Sequence, residues 1–258
     1  EDAFPVWSPD GHRIAYTGLA IGTERLQLVD WRGQLEQTLD LSAQRGGGSP
    51  QWSPDSETLA YVGLHEDRLA VFTLGLDSGM VELHMASDMT ISVQAPLSWA
   101  PDGRSIAFGI MDASHVPVTG PDDTNPFYVV RMDLGNAGFT RLTDGALADR
   151  LPVWSPDGQS VVIAATNNRN ASAYSESNTH LYAVPASGGE PKQLTTGQDS
   201  YGAPKFSPDG KTLATASRTT GKSFRRPVWK SNGSSSMMRY WLNENPPAPS
   251  ITTGVLMR

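Results

Sequence analysis

The chain has 258 residues, a length that one all-β domain can reach, so length alone requires no second domain. Hydrophobic residues make up 38% and charged residues 18%, a composition that suffices for a core and argues against disorder as the default. The net charge of −7 argues against nucleic acid as a partner, because phosphate binding requires a dense basic surface.

One short pattern recurs five times along the chain. It is Pro-x-Trp-Ser-Pro-Asp-Gly, with small departures, at residues 5–11, 50–56, 96–103, 152–158 and 204–210. The aromatic residues of successive copies lie 45, 47, 55 and 52 residues apart, a period typical of one four-stranded propeller blade. The sequence therefore predicts an all-β fold, a β-propeller of four-stranded antiparallel blades with five repeats visible.

The pattern also has a local physical meaning. Ser-Pro-Asp-Gly suits a hairpin turn, because proline presets the first central position, aspartate fits the second and glycine accepts the left-handed conformation. The tryptophan before it is a large apolar anchor for packing between blades. Ser56 stands where a glycine belongs, which predicts a strained turn or another turn type. In the third copy Ala100 replaces serine, and one extra residue predicts a small bulge.

In chain order, each blade begins with strand A at the aromatic residue. Strand B follows at 14–16, 59–61, 106–108, 161–163 and 213–215. Strand C is predicted at 26–30, 69–74, 127–133, 181–185 and 227–230, and strand D at 35–39, 81–85, 139–142, 192–194 and 238–242. The single propeller domain covers residues 1–258, with blades at 1–44, 45–91, 92–147, 148–199 and 200–245.

The last part of the chain follows the pattern less well. Arg226-Pro227-Val228-Trp229 begins like a further copy, but it lies only 23 residues after Phe206 and no Pro-Asp-Gly follows. Residues 246–258 are predicted as a tail or a ring-closing strand, with the strand at 251–256. Two arrangements stay open: five blades that close alone, or part of a six-bladed or larger ring in a longer protein. If the ring is unclosed, residues 216–258 are expected to be poorly packed or paired with another chain.

The repeat resembles that of TolB-like β-propellers. The resemblance rests on Trp-Ser-Pro-Asp-Gly-x-x-Ile-Ala-Tyr, on a Leu-Tyr-x-Val strand and on endings such as Arg141-Leu142-Thr143 and Gln193-Leu194-Thr195. The same repeat forms the propeller domain of prolyl-oligopeptidase-like serine peptidases. The resemblance covers roughly residues 1–215 and concerns the fold, which does not fix function. It implies six or more blades and, for the TolB branch, a periplasmic or other extracytoplasmic location.

The predicted topology gives the propeller two faces. The A–B and C–D turns lie on one, the turn face, and the B–C and D–A loops lie on the other, the loop face. Long polar loops at 112–125 and 166–178, in blades 3 and 4, make the loop face the candidate binding face. Residues just before strand A rim the channel there. The candidate ligand-binding residues are Asp2, Gln94, Asp149, Arg150 and Tyr201, with Gly47 on the same rim.

Chemistry-bearing motifs are missing from the sequence. It contains no Gly-x-Ser-x-Gly nucleophile elbow and no His-Glu-x-x-His, so no catalytic residue is predicted. Asp112, Asp122 and Asp123, with His115 nearby, are candidate cation ligands, but their spacing matches no defined metal loop. A solvated acidic loop is the preferred interpretation, and no metal or cofactor is predicted.

Three functions stay open. The preferred one is a non-catalytic scaffold that binds another protein or a peptide through the loop face. The second is the propeller domain of a prolyl-oligopeptidase-like peptidase whose hydrolase domain lies outside this chain. The third is a propeller glycosidase, which requires two or three carboxylates within about 5–10 Å in the channel. No membrane span is expected, because no apolar run approaches ~20 residues, and the oligomeric state stays open.

Overall fold

The computed structural model describes residues 2–20, 23–40, 50–66, 68–84, 89–91, 96–112, 127–135, 138–144, 150–166, 178–207, 209–219 and 253–257. Within these ranges every regular element is a β-strand, and the strands form five antiparallel sheets. In the first four sheets the strands of the repeat lie side by side in chain order. The predicted all-β propeller with several four-stranded blades is confirmed.

The blades follow one another along the chain. Blade 1 contains β1 (Asp2–Trp7), β2 (Arg13–Ala20), β3 (Thr23–Asp30) and β4 (Leu35–Asp40). Blade 2 contains β5 (Gln51–Trp52), β6 (Thr58–His65), β7 (Arg68–Gly75) and β8 (Val81–His84). Blade 3 contains β9 (Met89–Ile91), β10 (Ser98–Trp99), β11 (Ser105–Asp112), β12 (Phe127–Asp133) and β13 (Gly138–Arg141). Blade 4 contains β14 (Arg150–Trp154), β15 (Ser160–Ala165), β16 (His180–Pro185) and β17 (Lys192–Gln193). Blade 5 contains β18 (Asp199–Phe206), β19 (Leu213–Thr219) and β20 (Thr253–Met257).

The first strand of blade 3 is split in two. Both β9 and β10 pair with β11, through Ile91 opposite Ile110 and Ser98 opposite Ala107. The first strands of blades 1, 4 and 5 show a register shift at the corresponding place. Residues 89–91, which the sequence interpretation assigned to blade 2, therefore pair with the sheet of blade 3.

The third strand of blade 5 comes from the last residues of the chain. β20 pairs antiparallel with β19, from Leu213 opposite Met257 to Ser217 opposite Thr253. Residues 253–257 thus extend the fifth sheet. The sequence interpretation made residues 246–258 a tail or a ring-closing strand, in a region expected to complete blade 5. The strands predicted at 227–230 and 238–242 lie outside the described residues.

The A–B turns adopt the conformation that their sequence predicts. Gly11, Gly103, Gly158 and Gly210 have φ values of 73°, 69°, 68° and 70°. Ser56 adopts φ 63° at the same place, so the turn type is kept and the strain falls on a residue with a Cβ. Its hydroxyl accepts a hydrogen bond from the backbone N–H of Asp10 in blade 1, at 3.1 Å.

The A–B and C–D turns share one face of the propeller. In blades 3 and 4 the first residue of the C–D turn donates its N–H to the A–B turn, from Leu134 to Arg104 O at 3.0 Å and from Ala186 to Gln159 O at 2.9 Å. The same bond occurs in blades 1 and 2, at 3.0 and 2.9 Å. These bonds place both sets of turns together, as the topology predicts for the turn face.

The cores lie between consecutive blades. Each apolar cluster combines one face of a blade with the facing side of the next. Between blades 1 and 2, for example, Leu26 and Leu28 pack with Leu59 and Tyr61. Burial of this apolar surface stabilises the packing of each blade against the next.

Candidate functional site

Tyr201 is the predicted site residue whose side chain the structure describes. It is the third residue of β18 and follows the D–A connection, so it lies towards the loop face. Its backbone N–H donates to Thr179 O at 2.7 Å, which ties the start of blade 5 to the start of β16. Burial raises the pKa of the Tyr201 phenol, and the neighbouring carboxylate of Asp199 raises it further.

A buried histidine adjoins this tyrosine. The ring of His180 lies 6.0 Å from that of Tyr201, in a tilted arrangement, and His180 is 7% exposed. Its Nδ1 lies 3.3 Å from Thr195 Oγ1, and that hydroxyl accepts the N–H of Leu181 at 2.9 Å. Burial lowers the pKa of His180, so the ring is neutral near pH 7. We call His180, Thr195, Asp199 and Tyr201 the blade 4–5 junction; it combines a neutral imidazole, a phenol and a carboxylate.

The structure does not describe the side chains of the other predicted site residues. Asp2 and Arg150 begin β1 and β14, and their side chains lie outside what the structure describes. Gly47, Gln94 and Asp149 lie outside the described residues altogether. The channel-mouth site therefore stays a prediction.

The side chains of the candidate cation ligands are not described either. Asp112 ends β11, and its side chain is not described, while His115, Asp122 and Asp123 lie outside the described residues. Among the side chains that are described, no group of three or more histidine, aspartate or glutamate residues could hold a metal ion. The described residues also include no helix long and apolar enough to cross a membrane.

The turn face carries a different and better-defined feature. A cleft of about 840 Å³ opens between the turns of blades 3 and 4. Pro101 and Pro156 line its walls, together with Trp154 and the exposed Arg104. The sequence interpretation placed the candidate binding site on the loop face and did not predict a cleft on the turn face.

An arginine–aspartate pair lies in this turn-face cleft. Arg131 Nε lies 3.0 Å from Asp133 Oδ1, and one terminal nitrogen donates to Asp133 Oδ2 at 3.0 Å. The other terminal nitrogen donates to Ala186 O at 2.7 Å, which links blade 3 to blade 4. Burial raises the pKa of Asp133, but hydrogen bonds from Ser105 and Arg131 and the arginine charge outweigh it and lower the pKa overall. The charges of the pair are thus largely satisfied by each other.

The boundary between blades 3 and 4 also departs from a pattern that the first two blade boundaries share. Trp52 Nε1 donates to Val6 O at 3.0 Å and Trp99 Nε1 to Gln51 O at 3.1 Å, each in the preceding blade. The corresponding Nε1 of Trp154 is buried and has no hydrogen-bond partner among the described residues. Instead, the backbone N–H of Trp154 donates to Ser98 Oγ at 3.1 Å. The one sequence signal at this boundary is Ala100, where the other four turns have serine.

The blades, the turns and the interblade tryptophan bonds define the class of this protein: it is a β-propeller of the Trp-Ser-Pro-Asp-Gly repeat type. The family model for the TolB β-propeller domain matches residues 23–252. The chain belongs to that family.

The chain is also similar to individual proteins, with which it shares 14–28% sequence identity. A putative TolB from Agrobacterium tumefaciens has a TM-score of 0.58 and 21% identity, over 88% of this chain and 73% of that one. An oligogalacturonate lyase from Vibrio parahaemolyticus has a TM-score of 0.65 and 14% identity, over 85% and 59%. An uncharacterized peptidase of Bacillus subtilis, YuxL, is 28% identical over 47% of this chain and 21% of its own length. The chain thus spans about a fifth of that relative, and the structural likenesses show the fold alone.

Proposed function

We propose that this chain is a non-catalytic binding scaffold that takes another protein or a peptide at its loop face. Membership in the TolB β-propeller family supports a scaffold, since propeller domains of this family are typically non-catalytic. The observation that carries the choice of face is the blade 4–5 junction, where Tyr201 is fixed beside the buried His180 ring. A rigid aromatic group at the base of a long loop is the kind of anchor that peptide-binding surfaces use.

The proposed contact residues are those of the channel mouth. Asp2, Gln94, Asp149 and Arg150 supply polar and charged groups from blades 1, 3 and 4, and Tyr201 supplies the aromatic surface from blade 5. A site of mixed charge with one aromatic anchor fits a peptide better than a nucleic acid, which the net charge of −7 also disfavours. We place the protein in the periplasm or another extracytoplasmic compartment, as the TolB resemblance implies.

Selection from a library of random peptides displayed on phage tests this proposal. The dissociation constants of synthetic copies of the selected peptides are then measured with loop-face and turn-face variants. Arg150→Ala and Tyr201→Ala should weaken binding by about tenfold, which corresponds to the loss of one well-packed contact. Arg104→Ala and Gln159→Ala, on the turn face, are matched controls that should leave it unchanged. Selection of no peptide, or weakening by the turn-face variants alone, would contradict the proposal.

A second function is favoured by one observation, the match to the peptidase YuxL. In that case the propeller controls access to a hydrolase domain encoded elsewhere in the same gene. The sequence of the gene on both sides of this chain decides the point, since a nucleophile elbow with its triad partners would establish the peptidase. The glycosidase alternative needs converging carboxylates and stays untested, because Asp149 lies outside the described residues.

A further inference from the structure

The outer strand of blade 2, β8, is the last strand of its sheet. The sheet has the order β5-β6-β7-β8, and within the described part of the chain no strand pairs with β8 on its outer side. Backbone N–H and C=O groups on the outer side of such a strand are open to a further strand. Blades 1, 3 and 4 end in β4, β13 and β17 in the same way, so the side chains of β8 are what distinguish it.

Apolar side chains of β8 are open to solvent. Leu83 lies opposite Phe72, a residue of the core between blades 1 and 2, so its side chain is on the side that faces blade 1. Val81, two residues earlier, points to the same side. The two are nevertheless 39% and 41% exposed, and Met80, just before the strand, is 57% exposed. An apolar strip thus runs along the outer edge of this blade.

The other outer strands carry charges that protect an edge from another strand. β13 ends in the exposed Arg141, and β17 contains the exposed Lys192. In β4, Glu36 is paired with Arg13 at 3.0 Å. β8 contains no lysine, arginine or proline, and its one acidic residue is Glu82. Of these four outer strands, β8 is the one in which the structure describes two exposed large apolar side chains.

Glu82 lies between the two apolar residues and points to the other side of the sheet. Its side chain is 54% exposed, and its Oε2 lies 3.9 Å from Nε2 of His84. The His84 ring is buried, and the same nitrogen lies 3.0 Å from Thr73 Oγ1. Burial lowers the pKa of His84, although the Glu82 charge raises it, so the ring is neutral near pH 7. The histidine therefore does not neutralise the Glu82 carboxylate.

The surroundings of β8 are acidic. Residues 50–84 contain six aspartate and glutamate residues and one arginine, a net charge of −5, whereas the whole chain carries −7. Two of these carboxylates, Asp77 and Glu57, are exposed near the turn that leads into β8, where the Leu76 N–H donates to Glu57 O at 2.9 Å. This edge therefore attracts a basic segment and repels an acidic one.

We propose that the outer edge of β8 binds an extended segment of a partner protein by strand addition, and that this segment alternates apolar and basic residues. Backbone hydrogen bonds join the two strands, and apolar side chains of the segment cover Val81 and Leu83. A lysine or arginine between them lies opposite Glu82. The site is on the rim of blade 2, away from the loop face, and goes beyond the proposed function.

A second copy of this chain fits the edge less well. Pairing of two β8 strands edge to edge brings together two Glu82 side chains and two blades that each carry a net charge of −5 within residues 50–84. Like charges opposite each other on neighbouring strands are destabilising. The complementary occupant is a basic segment, and we commit to it.

A synthetic peptide that alternates valine and lysine over about eight residues, an ordinary strand length, tests the proposal. Binding is followed by NMR titration of the whole chain at about 150 mM salt, where attraction between distant exposed charges is largely screened. The peptide should shift the amide signals of β8. A block peptide of the same composition, with all valines before all lysines, should bind about tenfold more weakly.

N-methylated peptides separate strand addition from simple charge attraction. The N–H groups of alternate residues lie along one edge of a strand, so methylation of the valines alone or of the lysines alone blocks one edge. One of these two peptides should lose binding and the other should keep it. Retained binding by both would overturn the proposal, because backbone pairing would then contribute nothing.

A charge exchange identifies the strand. Glu82→Lys should weaken binding of the valine–lysine peptide about tenfold and strengthen binding of a valine–glutamate peptide. Glu190→Lys makes the same charge change at an exposed residue of blade 4 and should alter binding by less than about twofold. Equal effects of the two variants, or equal binding of the alternating and block peptides, would overturn the proposal. Shifts confined to β18 would place the peptide at the loop face instead, and protection of the β8 amides by self-association would favour a second copy; either result also overturns it.

Discussion

One serine hydroxyl organises each A–B turn, except in blade 3. In blade 4, Ser155 Oγ lies 2.6 Å from Asp157 Oδ1 and accepts the N–H of Ser160 at 2.9 Å. The same carboxylate oxygen accepts the N–H of Gln159 at 2.9 Å. Ser8, Ser53 and Ser207 make the same contacts, whereas Ala100 has no hydroxyl to make them. The serine thus joins the turn carboxylate to the following strand.

Removing this hydroxyl should destabilise the protein. Ser155 is buried, so Ser155→Ala leaves the N–H of Ser160 without its partner and should lower the free energy of unfolding by about 1–2 kcal/mol. Urea denaturation measures the change. Ala100→Ser is the matched reverse variant and should raise the free energy of unfolding by about 0.5–1 kcal/mol. If neither variant changes the midpoint, the hydroxyl has no structural role.

The same bond should make the effect of Ser155→Ala depend on pH. The hydrogen bond from Ser155, followed by that from the Gln159 N–H, holds the pKa of Asp157 below its ordinary value of 3.8. Because the folded-state pKa is the lower one, this stabilisation is present above pH 3.8 and is lost as the pH falls through the folded-state pKa. The stability difference between the parent and Ser155→Ala should therefore shrink in acid. An NMR titration should show a higher Asp157 pKa in the variant.

At the scale of the turn, Ser56 combines strain with a contact between blades. A residue with a Cβ in the left-handed conformation costs about 1–2 kcal/mol, and the bond from the Asp10 N–H returns about 1 kcal/mol. Ser56→Gly loses both and should leave the free energy of unfolding within about 0.5 kcal/mol of the parent. Ser56→Ala keeps the strain and loses the bond, so it should destabilise by about 1 kcal/mol. Gly11→Ala, at φ 73° with open space around it, measures the strain alone. A clearly stabilising Ser56→Gly would mean that the hydrogen bond contributes nothing.

Sequence reasoning succeeded for elements that repeat and failed for those that do not. Strands C and D of blades 1–4 were predicted because each lies within one period of its turn, where local alternation and breakers mark it. The partner of β19 could not be found in this way, because β20 lies more than thirty residues further on and no local pattern links them. The split of β9 from β10 and the turn-face cleft depend on contacts between blades. For the candidate site, position before strand A made Tyr201 a candidate residue, which stays a prediction, and gave no sign of His180 beside it.

On the scale of the whole molecule, the four blade contacts differ in composition. Between blades 3 and 4, the side of β15 that faces blade 3 presents Val161, Ile163 and Ala165, all fully buried. Between blades 4 and 5 the positions of Ile163 and Ala165 are taken by Thr215 and Ser217. The Thr215 hydroxyl is satisfied by Gly202 O at 2.8 Å, so the contact is intact but buries less apolar surface. In a stack of this kind each contact contributes separately to stability.

Blade 5 should therefore open more readily than blades 2–4. In native-state hydrogen exchange, amides of β19 should be less protected than those of β11 and β15, because their opening breaks the more polar contact. Ile163→Thr, which gives blade 4 the residue of blade 5, should lower the protection of β15 by roughly 2 kcal/mol. The reverse variant, Thr215→Ile, should raise the protection of β19, since the larger residues Tyr61, Phe108 and Ile163 hold the equivalent position in blades 2–4. Equal protection in all blades would instead mean that the stack unfolds as one cooperative unit, and Ile163→Thr would then lower every blade alike.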